Sequence, residues 1–166
     1  MIFMGITFKQ YIETDFNDLA LCMEKLQDFI VGIDSLKRLH KPPTFGKKYT
    51  TNLVKDVTKQ NGLIILAYDG KKIIGCIAGF IEKQTKRDLI ECIPTTVGRI
   101  PELFVSEQYR GNDIGKKLMQ RMEAYFKKNN CDVIRINVFA YNKNAQKFYQ
   151  KLDYSDRVVN MIKVIK

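Results

Sequence analysis

The stretch that most constrains the fold of this chain is residues 102–117, ELFVSEQYRGNDIGKK. It begins with an apolar, strand-like run, continues through a polar turn that contains Gly111, and enters a helical pattern at Ile114. A strand followed by such a turn and a helix start presents free backbone N–H groups together with the positive end of the helix dipole. This arrangement binds phosphate, and Gly111 and Gly115 would let a bulky anion approach the backbone.

Composition places the chain among ordinary globular proteins. It has 166 residues, of which 45% are hydrophobic and 28% are charged, and we expect one domain over residues 1–166. No apolar run approaches the roughly 20 residues of a membrane span. The first residues lack the features of a secretory signal. We therefore expect a soluble, cytoplasmic protein without a membrane partner.

The spacing of the cysteines and the net charge indicate which metals and partners the chain can be expected to bind. The four cysteines and the single histidine, His40, do not form a metal-binding pattern, so no metal is expected. Each cysteine is expected to be a small buried hydrophobic residue, and His40 to be exposed. The net charge of +10 favours anionic partners, namely nucleic acid, an acidic protein or a phosphorylated cosubstrate. A solvated, lysine-rich surface explains the charge equally well.

The spacing of apolar residues predicts the order of the strands and helices. Strands are predicted at residues 6–8, continued by Tyr11 and Ile12, and at residues 63–68, 72–81, 99–105, 133–138 and 158–165. Helices are predicted to begin after Asp15 and to cover residues 48–59, 114–128 and 142–152. Residues 82–98 fit either an extension of the neighbouring strands or a loop.

Three local signals indicate how these elements connect. Asp69-Gly70 predicts a hairpin. The helix between strands 99–105 and 133–138 makes them a parallel pair in a βαβ unit. Pro101 lies inside the first of these strands and removes a ladder donor, so it predicts a bulge, a strand start or an unpaired side. The prediction is an α+β domain in which helices flank a mixed sheet.

The turn at residues 110–115 resembles a motif of the GNAT superfamily of acetyl-CoA-dependent N-acetyltransferases. Members of that family carry (Arg/Gln)-x-x-Gly-x-(Gly/Ala) between a strand and a helix. Here Arg110 matches the first position and Gly115 matches the last, whereas Asp113 replaces the middle glycine. The order of elements over nearly the whole chain is also similar. The resemblance implies a mostly antiparallel mixed sheet with a central, splayed parallel pair.

A second motif strengthens the resemblance. GNAT proteins commonly carry Asn-x-x-Ala-x-x-(Leu/Phe)-Tyr, which is matched by Asn142, Ala145, Phe148 and Tyr149. The resemblance implies that acetyl-CoA is the cosubstrate, with its pyrophosphate at the turn, its pantetheine arm beside the preceding strand and Asn142, and its thioester sulfur near Tyr149. The residues that it implies for acetyl-CoA binding are Leu103, Phe104, Val105, Arg110, Gly111, Asn112, Asp113, Ile114, Gly115, Lys116, Asn142, Ala145 and Phe148.

Two residues are candidates for acid–base catalysis. The Tyr149 phenol holds its proton at neutral pH and would donate it to the departing thiolate. Glu102 would act as the general base, directly or through a water, since the attacking amine must be neutral. The alternatives are that Tyr149 is a core residue of its helix and that Glu102 is solvated or paired with Arg99. Alternation places Glu102 on the face of Ile100 and Phe104, which predicts partial burial.

Asp113 is the main departure from the family pattern. A carboxylate that pointed at a pyrophosphate would weaken binding by like-charge repulsion. Aspartate tolerates the left-handed backbone conformation better than most residues, however. We therefore expect Asp113 to keep the turn geometry with its carboxylate in solvent, or to cap the helix that follows.

These residues predict an N-acetyltransferase that moves an acetyl group to a primary amine of a small molecule or a peptide by direct attack. One alternative is a domain that binds acyl-CoA as a sensor without turnover. A nucleic-acid-binding module is disfavoured because the aromatic residues lie mostly at core spacings. The acceptor depends on the first two helices and on residues 32–46 and 82–98, which carry no motif. A homodimer is compatible with the family.

Overall fold

A five-stranded mixed sheet lies between helices in this computed structural model, which describes residues 5–165. The strands are β1 (Ile6–Gln10), β2 (Leu63–Asp69), β3 (Lys72–Glu82), β4 (Val97–Val105) and β5 (Val133–Ile136). The helices are α1 (Phe16–Ile33), α2 (Phe45–Lys59), α3 (Asp88–Glu91), α4 (Ile114–Lys128) and α5 (Lys143–Gln150). Short 3-10 turns precede α1 and α4 at Glu13–Asp15 and Glu107–Tyr109.

Strand order follows the chain, β1-β2-β3-β4-β5. The first three pairings are antiparallel, and β4 pairs with β5 in parallel through the crossover helix α4. This confirms the predicted fold class and the βαβ unit. The parallel pair lies at one edge of the sheet rather than at its centre, because no strand within the described residues follows β5.

Each face of the sheet is covered by its own helices. On one face, α1 and α2 contribute Leu19, Met23, Leu53 and Val57 to a core that contains Phe104. On the other face, α4 contributes a stripe that packs against the central strands. The buried members of that stripe are Ile114, Leu118, Met119, Met122 and Phe126. The apolar periodicity of these helices therefore gave the correct buried faces.

An extra residue in β4 changes which way its side chains point. Ala78 of β3 pairs with Glu102, but Phe80 pairs with Arg99, so β4 has one residue more than its partner beside Pro101. This is the predicted bulge. Because of it, Ile100 lies in the core under α4, whereas Glu102 contacts α2 on the opposite face. The expectation that Glu102 and Ile100 share a face was wrong.

The C-terminal segment also differs from the prediction. Residues 158–165 were expected to form a last strand but have no regular structure, and Val158, Met161 and Ile165 are 84%, 89% and 88% exposed. An alternating apolar pattern forms a strand only where a ladder partner is available, and within residues 5–165 none lies beside this segment. Cys92 is exposed, against expectation, whereas Cys22 and Cys76 are buried.

Glycine at position 98 permits the contact between β4 and α4. A Cβ added there would lie 2.6 Å from Cγ of Phe126. We expect Gly98→Ala to lower the free energy of unfolding by about 1–3 kcal/mol, because the packed Phe126 ring must move. In contrast, Gly32→Ala on the exposed end of α1 meets no atom within 4 Å and should raise it by about 0.5–1 kcal/mol. Urea unfolding of both variants measures the difference, and a neutral Gly98→Ala would contradict this packing.

Candidate active site

The strands β4 and β5 separate halfway along β4. Their pairing ends at Ile100 and Ile136, after which β4 continues to Val105 bonded to β3 alone. The chain leaves β5 at Asn137 and reaches α5 through an irregular segment. Backbone groups of β4 beyond Pro101 therefore face a gap rather than a neighbouring strand. Such unpaired groups are available to the amides of a bound ligand.

A cavity of about 270 Å³ opens at this gap. Strand β4, the segment after β5 and helix α5 line one side of it with Pro101, Glu102, Leu103, Asn137, Val138, Phe139, Asn142, Ala145 and Tyr149. Helices α1 and α2 and the segment between them line the other side with Met23, Leu26, Gln27, Ile30, Leu39, Phe45 and Tyr49. The structure thus brings both predicted catalytic residues to one cavity, at the place where the sheet divides.

Glu102 lines this cavity and is partly buried. Its Oε1 accepts a hydrogen bond from the Tyr49 hydroxyl. Burial raises the pKa of Glu102 to about 7, although the Tyr49 hydrogen bond and the charge of Arg99 act in the opposite direction. Arg99 donates to Oδ1 of Asn137 at 3.2 Å. A carboxyl group with a pKa near neutrality is suited to accept a proton from a reacting amine.

Tyr149 lines the same cavity. Its ring packs edge-on against Phe148 and Tyr154, at centroid distances of 5.2 and 5.8 Å. No hydrogen-bond partner for its hydroxyl is found among residues 5–165. Burial, and then the charge of Glu102, raise the pKa of Tyr149, so the phenol stays protonated at neutral pH.

Tyr49 was missed as a site residue by the sequence reasoning. The periodicity of α2 placed it correctly on the inward face, where its ring stacks on Phe45 with centroids 5.0 Å apart. Burial, and then the charge of Glu102, raise the pKa of the Tyr49 hydroxyl, which therefore acts as a donor. No sequence signal links Tyr49 to Glu102, because the two are 53 residues apart and meet only in the folded chain.

The turn before α4 offers a series of free donors. The backbone N–H groups of residues 111–116 have no acceptor among the described residues. The left-handed conformations of Gly111 (φ +80°) and Asp113 (φ +57°) shape the turn, and the Asn112 side chain donates to the carbonyls of Tyr109 and Arg110 at 3.2 Å. Consecutive free N–H groups at the positive end of a helix form an anion-binding surface.

Asp113 adopts the left-handed conformation that its residue type tolerates. It occupies the N-cap position of α4, but its side chain makes no capping hydrogen bond and is exposed. The capping alternative was therefore wrong, and the solvent-facing alternative agrees with the structure. The following residue, Ile114, is buried in the core, and Lys116 is exposed.

The other residues predicted to bind the cosubstrate lie either at the turn before α4 or beside the cavity. A Cβ at Gly115 would lie 3.3 Å from Cζ of Phe148, so this glycine allows α5 to pack on the start of α4. Asn142 caps α5 by accepting from the N–H of Ala145 at 3.1 Å. The Arg110 side chain turns away from the free N–H groups: its Nε donates to the Val105 carbonyl at 3.1 Å, and its guanidinium lies 5.2 Å from the Phe29 ring centroid. The binding roles of these residues stay predictions.

Comparison with known proteins identifies the family. A sequence model of the acetyltransferase (GNAT) family matches residues 32–154. The chain belongs to the GNAT family. Over 125 residues it is 26% identical to an uncharacterized N-acetyltransferase of Methanocaldococcus jannaschii, a match that covers 74% of this chain and about half (51%) of that relative. This confirms the resemblance stated above.

A second relative and one solved structure are glucosamine 6-phosphate N-acetyltransferases. The chain is 26% identical over 140 residues to enzyme 1 of Dictyostelium discoideum, with 82% of this chain and 84% of the relative covered. It also aligns with the crystal structure of the enzyme from Arabidopsis thaliana, with a TM-score of 0.67 over 98% of this chain and 99% of that one. The identity to that structure is 17%, so this likeness shows the GNAT fold alone.

Membrane spans and metal centres are not found in the part of the chain that the structure describes. No helix within residues 5–165 is long and apolar enough to cross a membrane. The same residues contain no group of three or more His, Cys, Asp and Glu side chains that could hold a metal ion.

The raised pKa of Glu102 predicts a pH-dependent effect on stability. The folded state holds the carboxyl proton more tightly than the unfolded chain, since the pKa rises from 4.5 to about 7. Ionisation of Glu102 therefore lowers the free energy of unfolding as the pH rises through this window. The glutamine in Glu102→Gln cannot ionise. The free energy of unfolding of this variant, relative to that of the parent, should therefore rise by about 3 kcal/mol between about pH 4 and about pH 8.

Urea unfolding of the parent and of Glu102→Gln across this pH range measures the effect. Glu91→Gln, on the exposed helix α3, controls for the loss of one surface charge. A difference between parent and Glu102→Gln that does not change with pH would show that Glu102 has an ordinary pKa.

Proposed function

We propose that this GNAT protein is an N-acetyltransferase that moves the acetyl group of acetyl-CoA to a primary amine by direct attack. The observation that carries the proposal is the shared cavity of Glu102 and Tyr149 at the division between β4 and β5. One residue has a pKa suited to accepting a proton, and the other holds a proton that it could donate. A simple binding domain has no need of this pair.

The free N–H groups of residues 111–116 support acetyl-CoA as the cosubstrate. They would hold the pyrophosphate at the start of α4, with Gly111 allowing close approach. The unpaired stretch of β4, including Leu103, would bond the amides of the pantetheine arm. This path leads from the start of α4 along β4 to the cavity, and therefore directs the thioester towards Tyr149.

The reaction needs two proton transfers. Glu102 accepts a proton from the amine, whose nitrogen forms a bond to the carbonyl carbon of the thioester. A β4 N–H near Phe104 or Val105 stabilises the negative charge that develops on the carbonyl oxygen. As the carbon–sulfur bond breaks, Tyr149 donates a proton to the sulfur and regains one from solvent. The amide and the free thiol are the products, and Glu102 returns its proton to water.

Replacing Tyr149 by Phe tests this proposal most simply. We expect kcat to fall by about 10²–10⁴-fold, because the departing thiolate loses its acid. The Kd for acetyl-CoA should stay within about twofold, since the ring packing is kept. Tyr154→Phe is the matched control: this neighbouring ring contacts Tyr149 but does not line the cavity.

Thiol release in the presence of an amine gives the rate, and titration calorimetry with acetyl-CoA gives the affinity. A parent protein that binds acetyl-CoA but acetylates no amine would favour the sensor alternative. An unchanged kcat in Tyr149→Phe would remove Tyr149 from the mechanism.

Asp113 provides a test of the pyrophosphate site. Asp113→Asn keeps a residue that tolerates the left-handed backbone and removes the charge, so we expect the Kd for acetyl-CoA to fall by about two- to fivefold. Asp113→Gly also removes the Cβ and should bind at least as tightly. Unchanged affinity in both variants would place the pyrophosphate away from this turn.

A further inference from the structure

The acceptor side of the cavity has a composition that restricts the amine. This side is formed by α1, α2 and the segment between them, with the apolar or aromatic residues Met23, Leu26, Ile30, Leu39, Phe45 and Tyr49 and one polar residue, Gln27, whose amide donates to the His40 carbonyl at 2.9 Å. Building on the proposed function, we propose that the acceptor is a primary amine carried on an uncharged aryl or alkyl body. The amine would reach Glu102, and the apolar body would contact α1 and α2.

The described residues that line the cavity provide no cation that could pair with an anionic group on the acceptor. Among the described residues that line it, none is Lys, Arg or His, and Glu102 is its single ionisable carboxyl group. Of the nearby cations, Lys41 is paired with Asp28 at 2.6 Å, and Arg99 bonds Asn137. A phosphate or carboxylate on the acceptor would lose water without gaining a cation, which costs free energy. The charge on Glu102 would also repel it.

The wall of the cavity favours an apolar group. Phe45 and Tyr49 both line it, and their rings stack on each other with an interplanar angle of 18°, so each ring holds the other in place on α2. Leu26 and Ile30 lie one helical turn apart on α1 and complete the wall opposite the β4 side. An aryl or alkyl group that fills this space is removed from water, which stabilises the complex.

A phosphorylated amino sugar is the main competing acceptor. A relative of this chain is named for glucosamine 6-phosphate. The basic residues that flank Leu39, namely Lys37, Arg38 and His40, are exposed to solvent. A phosphate that reached them would lie outside the cavity and leave the apolar wall uncovered. A preference for glucosamine 6-phosphate would therefore be the clearest evidence against the proposal.

The experiment compares kcat/KM for 2-phenylethylamine, hexylamine, glucosamine 6-phosphate and spermidine, with acetyl-CoA saturating and thiol release as the readout. We expect 2-phenylethylamine and hexylamine to exceed the other two by about 10–100-fold, as the burial of a group of this size allows. A preference for glucosamine 6-phosphate or for spermidine would overturn the inference.

Two variants of α1 test whether the apolar wall binds the acceptor. Leu26→Ala removes part of the wall and should raise KM for 2-phenylethylamine by about tenfold. Leu21→Ala, which lies on α1 away from the cavity and is 42% exposed, should leave it unchanged. The Kd for acetyl-CoA and the melting temperature, measured on both variants, show whether the fold and the cosubstrate site are intact. Equal effects of the two variants would overturn the assignment of this wall.

Failure of the inference differs from failure of the proposed function. If the protein binds acetyl-CoA and acetylates the anionic or cationic amines alone, the acceptor class is wrong and the acetyltransferase proposal stands. If acetyl-CoA binds and no amine in the panel reacts, the acceptor inference is likewise overturned. If acetyl-CoA does not bind, the proposed function is wrong.

Discussion

The hydrogen bond between Tyr49 and Glu102 is the interaction on which the candidate site depends, because it joins α2 to β4. The partners of Glu102 and Phe104 on β3 both lie on the face that α1 and α2 cover, so regular alternation directs Glu102 to that face. The extra residue beside Pro101 turns Ile100 to the opposite face, under α4. Burial raises the pKa of Glu102 to about 7, and the Tyr49 hydroxyl donates to its carboxyl group. One irregularity in β4 thus lets one strand serve both the core under α4 and the cavity between β4 and the first two helices.

Because β4 separates from β5, the free edge of β4 connects the two ends of the proposed acetyl-CoA site. The free N–H groups at residues 111–116 lie just after β4 ends, and the catalytic cavity lies where β5 leaves it. Helices α1 and α2 close the cavity from the other side without contributing a cation among the residues that line it. In the proposed arrangement, the backbone of β4 and of the turn before α4 contacts the cosubstrate, and the mostly apolar side chains of α1 and α2 contact the acceptor.

Much of this arrangement could be predicted from the sequence because it depends on local patterns. Helix α4 begins and ends at the predicted residues, the glycine-containing turn directly precedes it, and Tyr149 lies on α5, within the helix predicted over residues 142–152. Contacts between distant segments could not be predicted: Tyr49 meets Glu102 only in the folded chain, and the Arg110 side chain turns towards Phe29. The alternating pattern of residues 158–165 was misleading because a strand also requires a partner, which no local pattern records.

A crystal structure of the protein with bound CoA would locate the cosubstrate. We expect the pyrophosphate on the N–H groups of residues 111–116 and the sulfur within about 3.5 Å of the Tyr149 hydroxyl. The sulfur should point into the cavity that contains Glu102. A sulfur in the second cavity, of about 340 Å³ between Lys25, Lys72 and Arg110, would contradict this expectation.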